Sequence, residues 1–532
     1  VSEGRSQNLS YNGHLSFKSR YSLGVSVRAD GDSKFGPKNK WAYFPSASFR
    51  WNIIDEPFTK PIRKVVSMLA FRPSWGIVGN APSAESMAFS VINTSNGRYG
   101  TSRIAANMEN LKLDNLKWET TNSYNIGFNL GLFNDRIEAE FEYYHKYTDN
   151  LIMKNVGIPS VSGYSTQPYS NVGAMTNDGW ELNLELNNLI KKGKFSMSAN
   201  INVAQNYNEI AEMDDRVLES VNGEWDFSKN GVYLNRVQVG NPLGSIYGLR
   251  YKGVYQFTYE FLTDHQRENN LSNAEFEDWI NKFLSGGLDA DFYKRYNLEP
   301  GSKLTAPIAV DKDGKVLMNA DGTPKHVRYN YKGSGSSANY EFRGGDAIYE
   351  DINNDGQINE LDIVYLGNSL PKVNGGFNLT FKYGNWSIKT RFMYRFGNKV
   401  VNLARQNLEK MYDTFNQCAT VNYRWRQDEQ VTPIPRAMYN TAYNFQPSDR
   451  YVEDGGFVRF QNLQIAYNFP KKMIKDWGLN QLQAYASLNN LHVWTKYSGV
   501  DPEISPQGYG VAADASQTPR SKQFTVTLNI GF

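Results

Sequence analysis

The chain has 532 residues, with 57 basic and 54 acidic side chains and a formal net charge of +3, so the charge balance indicates no nucleic-acid partner. Aromatic residues are abundant, with 34 Tyr, 29 Phe and 11 Trp, and helical periodicity is scarce, which favours an all-β fold. The single cysteine, Cys418, excludes an internal disulfide, and no run of about 20 apolar residues exists that could form a transmembrane helix.

Segments in which apolar and polar residues alternate recur along the whole chain. This period of two is typical of strands with one apolar and one polar face. Most segments approach the roughly 9–11 residues that a tilted strand needs to cross a bilayer, and aromatic residues stand at many of their ends. A water-soluble sandwich would use the same alternation. In chain order the predicted strands are 9–17, 21–28, 43–54, 65–77, 124–130, 137–143, 178–189, 194–206, 375–383, 386–396, 456–469, 481–493 and 523–532.

The connections between these segments alternate in length. Short connections and long connections on opposite sides are the layout of an outer-membrane barrel, with periplasmic turns and long extracellular loops. A sandwich has no reason to sort its connections in this way, so the sequence predicts an antiparallel transmembrane β-barrel of about 13 strands. The short connections are 18–20, 133–135, 190–194 and 384–385, and the long ones are 78–120, 149–177, 207–374 and 401–455.

The number of predicted strands has a consequence for orientation. If the turn at 18–20 is periplasmic, the last strand runs inward and the C-terminus is periplasmic. Single-chain bacterial barrels have an even number of strands, whereas the count here is odd. We therefore expect this chain to begin on the extracellular side and further strands to come from an N-terminal part or from a second polypeptide.

Residues 351–362, DINNDGQINELD, have the spacing of an EF-hand loop. Calcium takes six to eight oxygen ligands at about 2.3–2.6 Å, and this loop supplies them from positions 1, 3, 5, 7 and 12, with glycine at position 6. The sequence departs from the pattern at position 12, which is Asp, and no amphipathic helix precedes the loop. A polar surface turn is the alternative interpretation. The predicted structural Ca²⁺ ligands are Asp351, Asn353, Asp355, Gln357 and Asp362.

The remaining sequence contains little that could carry catalysis. The five histidines are scattered without metal-ligand spacing. Glu138, Glu140 and Glu142 lie on one face of a strand without an apolar pocket that could raise a pKa, so a water-filled lumen wall is the better interpretation. Aromatic side chains of the loops could stack on sugars or could pack internally: Trp279, Tyr293, Tyr296, Trp425 and Tyr443. We expect a protein that is not an enzyme, and its substrate-binding residues cannot be assigned.

Several stretches, in a fixed order over essentially the whole chain, resemble the SusC family of TonB-dependent transporters. They include RADGDSKFGPKNKWAYFPSASFRWNI (28–53), SWGIVGNAP (74–82), NLKWETTNSYNIGF (115–128), EFEYYHKYTDNLI (140–152), NVGAMTNDGWEL (171–182), YEDINNDGQINELDIVYLGNSLPKVNGGF (349–377), YVEDGGFVRFQNLQIAYNFP (451–470) and ASLNNLHVWTKYSGVDPEIS (486–505).

The resemblance implies that residues 1–532 are the C-terminal portion of a barrel of about 22 strands, and no segment here resembles the plug domain of the family. It also implies uptake of glycans or oligopeptides, a SusD-like surface lipoprotein as partner, and contact with TonB through a plug domain that is not in this chain. The terminal strand ending in Phe532 resembles the signal that the barrel-assembly machinery reads. Membrane lipid would surround the barrel in the bacterial outer membrane.

Two other functions compete with nutrient import. A passive outer-membrane barrel could use loops 207–374 and 401–455 as a scaffold for surface or assembly partners. A secreted carbohydrate-binding sandwich would be soluble without detergent, which the sorted connections disfavour.

Overall fold

The computed structural model describes residues 4–83, 92–99, 103–108, 112–157, 161, 166–221, 233, 237–333, 336–506 and 510–532. Thirteen strands form a single antiparallel sheet in which every strand pairs with its neighbours in chain order. They are β1 (Ser6–Phe17), β2 (Tyr21–Asp32), β3 (Trp41–Asn52), β4 (Val66–Asn80), β5 (Glu119–Leu132), β6 (Ile137–Asp149), β7 (Gly173–Lys192), β8 (Phe195–Met213), β9 (Val373–Tyr383), β10 (Trp386–Phe396), β11 (Phe457–Asn468), β12 (Gln481–Thr495) and β13 (Gln523–Gly531).

The thirteen-stranded sheet confirms the predicted fold class and all thirteen predicted strands. The main difference is length, since several strands continue beyond the alternating residues; β7 and β8 are 20 and 19 residues long. Two connections at one edge of the sheet are two-residue turns that begin with a glycine at positive φ, Gly193 at 57° and Gly384 at 54°. Such a backbone matches the twist of a tight hairpin. The predicted sorting of short and long connections to opposite edges is therefore present.

The two faces of the sheet differ in chemistry. One face carries apolar side chains that remain exposed, such as Ile126 and Phe128, each 43% exposed. A soluble monomer rarely leaves so continuous an apolar surface uncovered. The other face carries Asn, Ser, Thr, Glu, Lys and Arg side chains, as the lumen side of a membrane barrel does. Further exposed members of the apolar face are Leu23, Val25, Val27, Tyr124, Phe141, Tyr143, Ile388, Ile465, Val526 and Leu528.

The buried hydrophobic residues lie mainly in the long connections and not in the sheet. Residues 245–368 contain two large clusters, one around Tyr329 and Tyr349 and one around Phe276, Ile280 and Phe283. The long connections also contain short strands. These are Ile92–Tyr99, Arg103–Met108, Ile152–Gly157, Thr166–Asn171, Ser245–Gly248, Tyr251–Val254, Arg328–Gly333, Ser336–Glu341, Ala347–Tyr349, Gln357–Ile358, Val364–Asn368, Lys399–Val401 and Val452–Asp454.

The long connections also contain helices, which the scarcity of helical periodicity did not predict. Among the described residues no helix is long and apolar enough to span a membrane. The α-helices are α1 (Asp215–Val221), α2 (Tyr259–Glu268), α3 (Asn273–Ser285), α4 (Ala290–Arg295), α5 (Leu403–Glu409) and α6 (Lys471–Ile474). Short 3₁₀ turns are Ile53–Asp55, Pro57–Ile62, Glu360–Asp362, Ala419–Tyr423, Tyr443–Phe445, Asp449–Tyr451 and Lys475–Trp477.

Helix α3 begins with a capping box. The Ser272 hydroxyl accepts a hydrogen bond from the Glu275 N–H, and the Glu275 carboxylate accepts one from the Ser272 N–H. Ser272→Ala removes one of these bonds, so we expect it to lower the free energy of opening of α3 by about 1 kcal/mol. Amide hydrogen exchange of α3 in the full-length protein tests this. The control is Ser285→Ala in the last turn, which we expect to leave exchange nearly unchanged; equal effects of the two variants would contradict the role of the cap.

Candidate functional site

The polar face of the sheet brings charged side chains of neighbouring strands together. Arg72 of β4 reaches across Gly127 of β5 and forms an ion pair with Glu140 of β6. A Cβ at position 127 would lie 3.2 Å from the Arg72 Nη2, so the glycine leaves the guanidinium room to cross the strand. Glu138 accepts a hydrogen bond from the Asn187 side chain at 3.2 Å. The three glutamates predicted to line a wet lumen wall therefore lie on the polar face.

The long connections lie at the edge of the sheet opposite the tight turns. Buried ion pairs link these connections to one another. Glu409 at the end of α5 accepts hydrogen bonds from Arg405 and Arg450, each at 2.9 Å. The side chains of Glu409 and Arg450 are only 4% and 6% exposed. Arg450 also donates to the Tyr251 hydroxyl at 3.1 Å. One carboxylate thus joins the segment after β10 to the segment before β11, and Arg450 extends the link to the connection after β8.

A second buried carboxylate joins two of the same connections. Asp346 is fully buried and accepts hydrogen bonds from the Tyr340 hydroxyl at 2.6 Å, from the Arg436 Nε at 2.7 Å and from the Asn444 side chain at 3.2 Å. Burial raises the pKa of the Tyr340 hydroxyl, as does the neighbouring Asp346 carboxylate. The connections are therefore fastened to one another by paired buried charges.

The side chains of the predicted cation loop bind the loop backbone. The Asp362 carboxylate accepts hydrogen bonds from the main-chain N–H groups of Ile352 and Asn359, each with an N–O distance of 2.8 Å. The Asp351 carboxylate accepts those of Asp355 at 3.2 Å and Gly356 at 2.6 Å. Asn353 and Asp355 accept N–H groups in the same way. These bonds curl residues 351–362 into one compact loop.

Two features of this loop fit the EF-hand pattern. Gly356 at position 6 has φ of 80°, the left-handed conformation that the turn requires. The Gln357 side chain accepts a hydrogen bond from Asn330, which leaves the Gln357 main-chain carbonyl as the position-7 oxygen. The segment before the loop is the short strand Ala347–Tyr349, in agreement with the absence of a helix there.

The electrostatics of the loop are those of crowded carboxylates. Burial raises the pKa of Asp362 to about 6, and the carboxylates of Asp351 and Asp355 add to this rise. Burial also raises the pKa of Asp351. Within the described ranges no three His, Cys, Asp or Glu side chains are grouped closely enough to hold a metal ion. A cation in this loop would therefore need Asn and main-chain oxygens as further ligands.

The aromatic side chains singled out from the sequence are largely packing residues. Tyr293 is 1% exposed and lies inside the helical cluster, while Trp279 packs against the same cluster and stacks on His265 at 3.8 Å between ring centroids. Trp425 is 8% exposed. Sequence reasoning missed the buried Glu409–Arg450 and Asp346–Arg436 ion pairs, since their partners lie 41 and 90 residues apart and no local spacing marks them.

Together these features define a membrane β-barrel wall with an apolar outer face, a polar lumen face and folded connections on one edge. A fold of this kind is an outer-membrane β-barrel. Residues 3–298 match the family model described as TonB dependent receptor-like, beta-barrel, which is more than half of the chain. The chain belongs to this family.

Known proteins agree with this assignment. The chain is 26% identical over 539 residues to TonB-dependent receptor P39 of Formosa agariphila, an alignment that covers 97% of this chain and 45% of that receptor. It is 24% identical over 538 residues to TonB-dependent receptor SusC of Bacteroides thetaiotaomicron, covering 98% of this chain and 44% of SusC. The chain thus spans less than half the length of these curated relatives.

A solved structure shares the fold. In the structure of the RagAB peptide transporter, one chain superposes with a TM-score of 0.69 at 22% identity, covering all of this chain and 48% of that chain. At this level of identity the similarity establishes the fold alone. The SusC-like resemblance that was based on sequence stretches is confirmed.

Proposed function

We propose that this chain forms part of the wall of an outer-membrane nutrient importer, which takes up glycans or oligopeptides by a TonB-dependent mechanism. The observation that carries the proposal is the family match over residues 3–298, together with a sheet whose outer face is apolar and whose lumen face is polar. Energy would come from TonB through a plug domain outside this chain. The curated relatives are named TonB-dependent receptors, which supports a transport role.

The proposal includes the partners and the orientation. A SusD-like lipoprotein would sit over the long connections, which would lie outside the cell. The C-terminus would lie in the periplasm, and the final strand ending in Phe532 would be the segment read by the barrel-assembly machinery. Connections stiffened by the buried carboxylates of Asp346 and Glu409 supply a preformed surface for such a partner.

The experiment that tests this function compares cells with and without the full-length gene. We expect the full-length protein to support accumulation of labelled oligosaccharides or oligopeptides only when TonB is present, and to copurify with a surface lipoprotein. The matched control is the same protein in cells that lack TonB. Uptake that does not depend on TonB, or no uptake of any substrate together with stable outer-membrane assembly, would instead support the passive scaffold.

We also propose that residues 351–362 bind Ca²⁺ as a structural ion, through Asp351, Asn353, Asp355, the Gln357 carbonyl and Asp362. The support is the spacing of these oxygens, the left-handed Gly356 and the raised pKa values of two of the carboxyls. A divalent cation would offset the repulsion that three carboxylates exert on one another. Its role would be to fix the loop between the strand Ala347–Tyr349 and the strand Val364–Asn368.

The raised pKa of Asp362 predicts a pH dependence. The pKa of Asp362 in the folded loop, about 6, exceeds the ordinary value of about 3.9. Without metal, the folded loop is therefore more stable relative to the unfolded chain when Asp362 is protonated than when it is ionised. This stabilisation is complete below about pH 4 and is lost as the pH rises through about 6. Since Ca²⁺ binds the ionised form, we expect its affinity to fall as the pH is lowered from 7 to 5.

Calcium titrations of the full-length protein, followed by hydrogen exchange of residues 351–362, test this expectation. Asp362→Asn is expected to abolish the protection that Ca²⁺ gives the loop. The control is Asp278→Asn, on the exposed face of α3, which is expected to leave the response to Ca²⁺ unchanged. Protection that is the same with and without Ca²⁺ at pH 7 would contradict the cation site and leave a polar surface turn.

A further inference from the structure

The edge of the sheet that carries the short connections is basic. Its six connections contain ten basic and four acidic residues, whereas the whole chain has 57 and 54. Arg20 and Glu56 form the one ion pair between these residues in the described part of the chain. Positive charge concentrated at one edge attracts an anionic partner there. The basic residues are Lys18, Arg20, Lys60, Arg63, Lys64, Arg136, Lys194, Lys471, Lys472 and Lys475, and the acidic ones are Asp55, Glu56, Asp135 and Asp476.

Three of these lysines lie close together in the connection between β11 and β12, residues 469–480. The segment folds as α6 followed by a single 3₁₀ turn. Lys471, Lys472 and Lys475 are exposed, and within the described ranges none of them forms an ion pair. Asp476 is the one acidic residue of this connection. The segment therefore carries a local excess of positive charge on its surface.

This segment lies on the outer side of the wall and not in the lumen. Helix α6 packs against β12, and its Ile474 is buried. Leu482 of β12 lies opposite Ile530 of β13, on the apolar face of the sheet. Leu482 is only 8% exposed, whereas Ile530 is 47% exposed, so the contact with α6 is made on the apolar face. The three lysines are therefore next to the lipid and are separated from the lumen by the sheet itself.

A row of aromatic side chains marks the level of the lipid headgroups beside this segment. Trp386 of β10 lies opposite Tyr467 of β11, with 4.8 Å between their ring centroids. The next pair toward the middle of the same face is Ile388 and Ile465, which are exposed. Aromatic rings prefer the boundary between acyl chains and headgroups, and α6 begins four residues after Tyr467. The row continues onto β9 and β8 with Tyr383 and Phe195.

The segment combines its lysines with exposed apolar side chains. Met473 and Trp477 are 48% and 56% exposed. A free phosphate ion would contact the lysines and leave these side chains in water. A phospholipid supplies both parts, since its phosphate accepts hydrogen bonds from lysine ammonium groups and its acyl chains cover apolar surface. A zwitterionic lipid carries an ammonium of its own, so an anionic lipid gains more from the three lysines.

We propose that residues 469–480 form a binding site for anionic phospholipids such as phosphatidylglycerol or cardiolipin. The headgroup phosphate contacts Lys471, Lys472 and Lys475, and the acyl chains lie along Trp477 and the apolar face. The site does not depend on what the barrel transports. Only the choice of a phospholipid over lipid A, whose phosphates have the same chemistry, rests on the proposed periplasmic position of the short connections.

Fluorescence quenching in phosphatidylcholine vesicles tests the proposal on the full-length protein. A fluorophore is attached to Asn480→Cys, an exposed position at the end of the segment, in a Cys418→Ser background. Nitroxide-labelled phosphatidylglycerol is expected to quench it about threefold more efficiently than nitroxide-labelled phosphatidylcholine at the same mole fraction. Replacing Lys471, Lys472 and Lys475 together by Gln is expected to remove this difference. Equal quenching by the two lipids in the unmodified segment would overturn the site.

The control variant removes three exposed lysines from the other edge of the sheet. Lys294, Lys303 and Lys312 lie in the connection after β8, and their replacement by Gln changes the net charge by the same amount. This variant is expected to keep the preference for phosphatidylglycerol, because charges more than a Debye length away are screened by salt. An equal loss in the two triple variants would show that net charge alone attracts the lipid and would overturn the site.

Labelling of cells distinguishes the two sources of lipid phosphate. A membrane-impermeant maleimide is expected to modify Asn480→Cys only after the outer membrane is permeabilised. Modification in intact cells would place the segment beside lipid A and overturn the assignment of a phospholipid. The uptake experiment stays separate from this one. Preference for phosphatidylglycerol without TonB-dependent uptake would support the lipid site and refute active import, whereas uptake without the preference would refute the lipid site alone.

Discussion

Ile126→Arg is expected to destabilise the membrane-inserted barrel by about 2–4 kcal/mol. Ile126 lies near the middle of β5 on the apolar face, opposite Pro73 of β4 and Tyr143 of β6, and 43% of its surface is exposed. In the membrane this surface faces lipid tails, and a guanidinium placed there loses its hydration. Urea titration of the full-length protein in phospholipid vesicles measures the change.

The neighbouring residue provides a matched control. Asn125 lies on the polar face of the same strand, where it donates to the Ser74 hydroxyl at 3.3 Å. Asn125→Arg places the same charge one residue away but in the lumen, so we expect a change below about 1 kcal/mol, because the guanidinium stays hydrated. If the two variants were equally destabilised, the assignment of the two faces would be wrong.

Glu409→Ala is expected to lower the free energy of opening of the connection after β10 by about 3–5 kcal/mol. The substitution leaves Arg450 buried without its carboxylate, although its contact with the Tyr251 hydroxyl remains. An unpaired buried charge costs far more than the net contribution of the pair itself, which is why removing one partner has a large effect. Hydrogen exchange of residues 397–456 in the full-length protein gives the opening free energy.

An exposed ion pair shows whether burial is the cause. Arg267 and Asp264 pair on α2 with side chains that are 78% and 49% exposed. Asp264→Ala should change the opening of that helix by less than about 1 kcal/mol, because water screens both charges. If Glu409→Ala lowered the free energy of opening no more than Asp264→Ala does, the connection would be stabilised by its hydrophobic contacts and not by the buried ion pair.

The barrel strands could be predicted from sequence because a wall that faces lipid on one side and water on the other imposes a strict alternation. Strand β6 shows this alternation, with Ile137, Ala139, Phe141 and Tyr143 on one face and three glutamates on the other. A sandwich would use the same alternation, and the sorted lengths of the connections distinguish the barrel from it. The ends of the strands were less predictable. Strand β7 begins at Gly173, five residues before the alternation, because backbone pairing with β8 continues where the side chains no longer alternate.

The folded connections could be predicted only in part. The capping box of Ser272 and Glu275, and Gly286 at the end of α3, are local signals from which this helix could have been found. The Arg450 and Glu409 pair could not, because nothing near either residue in the sequence specifies the other. For the cation loop the residue spacing was visible, whereas the burial that raises the pKa of Asp362 depends on the tertiary structure.

The central claim, that β6 is a membrane-spanning strand of a barrel wall, is tested most directly by nitroxide labels placed one at a time at residues 137–143. The labels are attached to single cysteines in a Cys418→Ser background of the full-length protein in membranes. Collision with oxygen, which concentrates in lipid, is expected to be highest at Ala139, Phe141 and Tyr143. Collision with a water-soluble nickel chelate is expected to be higher at the three glutamate positions. Equal access of the nickel chelate to all seven positions would contradict a membrane-spanning strand.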